Sequence, residues 1–166
     1  MKILAALKKI KHLDRKIEKT LKRIESWCSI IVDNEKDPAP VYNAEDIRKM
    51  RQQVIDWAIE KTRIRVALHL TNVRTLMEFD GKEQSIDELL LEQNVVIPAK
   101  LKAWTVMRRK EKGSGYRSTD SKDSWVIMQF DPKERDMEVE KLEHFKERLD
   151  ELLDNLNIET DVIGLD

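Results

Sequence analysis

The chain has 166 residues, of which 38% are charged and 40% hydrophobic, and its 31 basic side chains nearly balance its 32 acidic ones. This length suits one domain with a core of ordinary size. Aromatic residues make up only 5% and there is a single cysteine, which argues against a sheet-rich sandwich, a disulfide framework or a multi-cysteine metal site.

A long amphipathic first helix is predicted over residues 3–32. Its apolar residues recur in steps of three and four: Leu7, Ile10, Leu13, Ile17, Leu21, Ile24, Cys28 and Ile31. At about 1.5 Å per residue the helix would extend roughly 45 Å, longer than a compact domain of this size can cover. We interpret Cys28 as a core residue of this stripe.

A second helix is predicted over residues 44–79, after a connection that Pro38 and Pro40 keep from being helical. Gly81 can take the left-handed conformation that ends a helix. One apolar stripe consists of Ile47, Met50, Val54, Trp57, Ile64 and Leu68, and it is widened by Ile55, Ile59, Val66, Leu70 and Val73. A helix with so wide an apolar face is expected to contact two neighbours.

The second half of the chain predicts two more helices and a β-hairpin. Ser85 with Glu88 is a capping-box pattern that opens a helix over residues 86–112, kinked at Pro98. Residues 124–130 have strand composition, and a strand needs a partner, either a local hairpin over residues 114–130 or another subunit's edge. We favour the hairpin. A last helix over residues 132–157 precedes a tail, residues 158–166.

These elements predict a mainly α fold, a single elongated domain over residues 1–166. We expect a long antiparallel helical hairpin in a coiled-coil-like bundle with one small β-hairpin. The last helix carries a regular seam that we expect to pack between helices: Leu142, Phe145, Leu149, Leu152 and Leu156. Thr71, Asn72 and Thr75 are polar within an apolar helix, so we expect them to set the register of assembly, with ligand binding as the alternative.

Charge is distributed unevenly along the chain. Residues 1–23 hold nine Lys or Arg and two acids, whereas residues 131–166 hold thirteen acids and five basic side chains. Either the first and last helices pair within one copy, or the opposite ends of different copies attract one another. A second basic run, with neighbouring aromatics, could contact nucleic acid or could be a solvated helix end; it includes Arg108, Arg109, Lys110, Lys112 and Arg117.

The sequence carries no recognisable catalytic or cofactor motif. His12, His69 and His144 lie on separate segments without metal-ligand spacing. We therefore expect no enzymatic activity, no cofactor and no metal. No apolar run approaches the length of a membrane span, and no export signal is visible, so we expect no membrane partner and a cytoplasmic location, or a virion if a phage encodes the protein.

Several short motifs carry a resemblance to a known family. They are Thr71-Asn72 followed by Thr75, the Gly81 turn, the helix-opening Ser85, Tyr116-Arg117-Ser118, and residues 157–160. In these the chain resembles the septicolysin-like family of small helical proteins from bacteria and phages, whose function is uncharacterised. The resemblance implies the same order of elements over most of the chain, apart from residues 33–42 and the tail at 161–166.

These features predict a structural protein that self-associates as a helical homo-oligomer, alone or with other structural proteins of a larger particle such as a phage particle. The reasons are the over-long amphipathic helices, the oppositely charged ends and the strand that needs a partner. The alternative function is an accessory protein that binds nucleic acid through residues 100–117.

Overall fold

The computed structural model describes residues 1–29, 44–109 and 127–165. In these ranges the fold is mainly α with one small antiparallel β-hairpin, as predicted. The elements are α1 (Ile3–Trp27), α2 (Ala44–Arg74), β1 (Leu76–Phe79), β2 (Lys82–Ser85), α3 (Ile86–Leu91), a π-helical segment (Glu92–Val96), α4 (Ile97–Thr105) and α5 (Pro132–Glu159). We predicted one domain; the chain divides into two compact units, Met1–Thr75 with Leu156–Asp166, and Leu76–Asn155.

The first unit is built on the antiparallel pair of α1 and α2. Its buried apolar side chains are Ile3, Ala6, Ile10 and Leu13 from α1, Met50, Ile64, Ala67 and Leu68 from α2, and Leu156 and Val162 from the end of the chain. Lys16 lies over the ring of Trp57, with Nζ 5.4 Å from the centroid. The Lys9 ammonium pairs with the Glu60 carboxylate at 2.6 Å. Apolar burial therefore joins the two helices, and charged side chains border the contact.

The end of the chain closes the first unit. The Ile3 amide donates to the Thr160 carbonyl at 3.0 Å, and the Val162 amide donates to the Met1 carbonyl at 2.7 Å. Lys2 Nζ donates to Asp161 Oδ2 at 2.7 Å, and this hydrogen bond lowers the pKa of the Asp161 carboxyl. The predicted tail over residues 158–166 begins two residues later in the structure, because α5 continues to Glu159, and backbone hydrogen bonds hold the residues that follow.

The second unit begins with the β-hairpin, whose first strand lies where helix was predicted. Strand β1 pairs with β2 from Leu76 opposite Ser85 to Phe79 opposite Lys82, leaving a two-residue turn. Asp80 and Gly81 in that turn both have positive φ, 51° and 74°. Asp-Gly is the pair that such a tight hairpin turn favours, so Gly81 turns a hairpin here and does not end a helix.

The third predicted helix is also divided. A π-helical segment separates α3 from α4, and Pro98, which has no amide proton to donate, lies in the first turn of α4. Helix α4 ends at Thr105, before the predicted end at residue 112. The buried side chains of this unit are Ile86, Leu89, Ile97, Leu149 and Leu153.

Three further predictions differ from the structure. Helix α1 ends at Trp27 and not at residue 32, and Cys28 is exposed there and not in the core. Among the described residues of α1, full burial ends at Leu13, and Ile17 and Ile24 farther along the stripe are half-buried. Residues 127–130 of the predicted hairpin over residues 114–130 are not strand, and most of that hairpin lies outside the described residues.

Candidate self-association surface

Helix α2 has two apolar faces with very different exposure. On the face toward α1, Met50, Ile64, Leu68 and Thr71 are all buried. On the other face a row of apolar side chains is uncovered, and we call it the exposed stripe: Ile55 (44% exposed), Ile59 (63%), Val66 (54%), Leu70 (40%) and Val73 (46%). Spacings of four, seven, four and three place the whole row along one side of the helix.

The exposed stripe lies opposite the contact with α1. At about 100° per residue, Ile55 and Val73 point in the same direction, and Ile64 points about 180° away. No side chain of α1 can therefore cover the stripe while α1 stays packed on Ile64. Apolar rows of this length on a helix are typical of surfaces that pair with another helix.

The polar groups in and beside the exposed stripe leave it able to pack. Thr62, within the row, donates its hydroxyl to the Ala58 carbonyl at 2.9 Å, so no hydroxyl proton is left unpaired. Asp56 and Arg63 lie along one edge of the row. Ile55, Ile59 and Thr62 line an open concavity of about 530 Å³, together with Ala58 and Arg63.

Thr71, Asn72 and Thr75 lie at the end of α2, and Thr71 makes its contacts within the chain. Thr71 is fully buried, donates to the Ala67 carbonyl at 2.8 Å and accepts from the Ile163 amide at 2.9 Å. The Asn72 Oδ1 atom is buried and accepts no hydrogen bond from any described residue. Thr71 thus holds the end of the chain against α2, and a role of these residues between copies stays a prediction.

The predicted seam of α5 is largely covered inside its own chain. Leu149 and Leu156 are buried, and Leu142, Phe145 and Leu152 are half-buried. The rings of Phe79 and Phe145 pack edge to face, with their centroids 5.2 Å apart. Arg148 lies over the Phe145 ring at 5.7 Å. This seam packs within the chain, and its assignment as an interface between copies stays a prediction.

The basic region is only partly within the described residues. Arg108 and Arg109 are exposed, and Arg108 donates from Nε to the Thr105 carbonyl at 3.2 Å. Lys110, Lys112 and Arg117 lie outside the described residues, so nucleic-acid binding by this region stays a prediction.

Among residues 1–29, 44–109 and 127–165, no group of His, Cys, Asp and Glu side chains is arranged to hold a metal ion. In the same ranges, no helix combines the length and apolar character that crossing a bilayer requires.

Comparison with protein-family models, curated proteins and solved structures found no match to this chain. The resemblance to the septicolysin-like family therefore stays a prediction based on the motifs quoted above. The surface has to be interpreted from its own geometry.

From the sequence, the residues of the exposed stripe were assigned to the wide apolar face of the second helix but were not identified as a site. Thr71 and the α5 seam were predicted instead to determine how copies pack together. The signal was present in the spacing, since Ile55 and Val73 point away from Ile64 on any regular helix. Only the position of α1 shows which of the two faces is covered.

Proposed function

We propose that this protein self-associates through its helices and works as a structural component of a homo-oligomeric assembly. The observation that carries the proposal is the exposed stripe, five apolar side chains in a row on a helix whose opposite face is already packed. Water contact with a contiguous apolar surface is unfavourable, so a partner that covers it gains stability.

The charge pattern supports the same proposal. Basic residues dominate the first 23 positions and acidic residues the last 36, which gives each copy regions of opposite sign. Such patches steer encounters between copies and disfavour wrong arrangements. The septicolysin-like resemblance, with its bacterial and phage members, extends the proposal to a component of a bacterial or phage particle.

Sedimentation velocity at micromolar concentration and physiological salt tests this proposal. We expect the wild-type protein to sediment as an oligomer, and a variant with both Ile59→Glu and Val66→Glu to sediment as a monomer, because carboxylates cannot be covered at an apolar contact without a large desolvation penalty. Far-UV circular dichroism should be unchanged, since both positions are exposed in the monomer.

A matched control separates this surface from general apolar exposure. Val106 is 63% exposed, the same fraction as Ile59, but it lies outside the stripe. The Val106→Glu variant should remain oligomeric. A compact monomer of the wild-type protein over the whole concentration range would contradict the proposed function.

A further inference from the structure

The edge of the exposed stripe carries charges that indicate how two copies would meet. If the stripe is a coiled-coil seam, Ile59 and Val66 take the a positions and Ile55 and Thr62 the d positions. Asp56 and Arg63 are then both at e positions, two turns apart and on the same edge. Both are exposed, and within the described parts of the chain the Asp56 carboxylate accepts a hydrogen bond from Gln52 Nε2 at 2.9 Å but neither residue forms an ion pair.

We propose that two copies of this chain pair antiparallel through α2, with Asp56 of each copy beside Arg63 of the other. This inference rests on the proposed function and names its contact surface. An antiparallel copy is reached by a two-fold axis, and a two-fold axis repeats every contact. One complementary pair therefore becomes two.

The register that brings the charges together also pairs part of the exposed stripe. With the axis passing between residues 60 and 61, Ile55 faces Val66 of the second copy and Ile59 faces Thr62. At the end of the stripe, Leu70 and Val73 face Arg51 and Arg48, whose methylene stems can lie along them. Asp56 and Arg63 are offset by two residues, about 3 Å along the axis, which an arginine side chain can span.

A parallel pair makes less use of the charges on this edge. In that arrangement Arg51 of one copy lies beside Asp56 of the other, and Arg63 lies beside Ala58. In the antiparallel pair both Asp56 and Arg63 have an oppositely charged neighbour.

Charge reversal tests the pairing directly. Asp56→Arg alone should place two arginines together twice in each dimer, and Arg63→Asp alone should do the same with two aspartates. We expect each variant to dissociate about tenfold more readily than wild type at low salt. An equimolar mixture of the two variants should recover wild-type affinity, because every Arg then faces an Asp. Analytical ultracentrifugation measures all three.

Arg65→Asp is the matched control, since it makes the same charge change on the same helix at a g position, on the opposite edge of the row from Asp56 and Arg63, where its neighbouring g residue in the second copy is Ala58. It should leave the affinity nearly unchanged. Circular dichroism and the melting temperature should be the same for all the variants, because each altered side chain is exposed.

Other results would overturn the inference. If Asp56→Arg weakens association but Arg63→Asp does not, the copies pair parallel, with Arg51 beside Asp56. If neither reversal changes the affinity of an oligomeric wild type, the copies meet elsewhere, and the proposed function stands without this contact. If the wild type is a monomer, both proposals fail.

Discussion

On α2, Ile64 and Ile59 lie little more than one turn apart, yet Ile64 is 2% exposed and Ile59 is 63% exposed. Residue type and helix propensity are the same at both positions. The difference comes from α1, which lies along the side of Ile64 and not along that of Ile59. An apolar side chain in this helix therefore contributes to folding on one face and is available for association on the other, and variants matched across the two faces can separate these roles.

Truncation of the two isoleucines should give the largest contrast. Ile64→Ala should lower the free energy of unfolding by about 2–5 kcal/mol, because it removes buried methyl groups and leaves a cavity. Ile59→Ala should change it by less than about 0.5 kcal/mol in the monomer. Urea denaturation at protein concentrations below the association range measures both. Equal losses would mean that the two faces are covered alike.

Two threonines extend the contrast to hydrogen bonding. Thr71 and Thr62 each donate to the carbonyl four residues earlier, but only Thr71 also accepts, from the Ile163 amide. Thr71→Val should cost about 1–3 kcal/mol, because the Ile163 amide loses its partner. Thr62→Val should change stability by less than about 0.5 kcal/mol.

Thr71→Ser keeps the hydroxyl and should recover most of the loss from Thr71→Val in the same thermal denaturation series. If Thr71→Ser and Thr71→Val were equally destabilising, the shape of the buried side chain would matter and the hydrogen bond would not.

Substitutions of charged residues beside the two faces of α2 should differ less in their effect on stability. Asp14 pairs with Lys61 at the border of the covered face. Asp14→Asn should lower the free energy of unfolding by about 0.5 kcal/mol at low salt, and the loss should shrink as salt screens the pair. Asp56→Asn, beside the exposed stripe, should leave the stability of the monomer unchanged. A salt-independent loss for Asp14→Asn would show that packing, not charge, is responsible.

The smallest effect on stability is expected for the hydrogen bond between Lys2 and Asp161, which joins the start of the chain to its end. The Lys2 ammonium lowers the pKa of Asp161, so the ionised carboxylate is favoured in the folded state. Its contribution is present above the unfolded pKa, near 3.8, and is lost as the pH falls through the lower folded value.

Melting temperatures of the wild type and Asp161→Asn should therefore differ slightly at pH 7 and converge below the folded pKa. A difference that stays constant down to pH 2 would rule out titration of Asp161 as its cause.

Much of the fold could be read from local patterns. The start of α3 followed from Ser85 and Glu88, and the structure has the full reciprocal capping box, with the Ser85 amide donating to Glu88 at 2.7 Å. This hydrogen bond lowers the pKa of the Glu88 carboxyl. The last helix and its seam followed from apolar spacing. Such features depend on residues within a few positions of one another, which a sequence displays directly.

The errors arose where one local pattern has two structural interpretations. Asp80-Gly81 can close a hairpin or follow a helix end, and the preceding residues from Leu76 were assigned to the helix. Cys28 lies on the apolar stripe of α1 but beyond the part of that helix that has a buried face. Periodicity gives the direction in which a side chain points, and it carries no information about what lies there.

The sequence alone determined a mainly α protein with long amphipathic helices, because apolar spacing and capping residues act over one or two turns. Only the tertiary structure decided which face of α2 is covered, that the end of the chain pairs with its beginning, and that the exposed stripe is a separate surface. These depend on contacts between residues far apart in the chain, as between Thr71 and Ile163. Such contacts form only when the packed elements exclude water from one face and leave the other exposed.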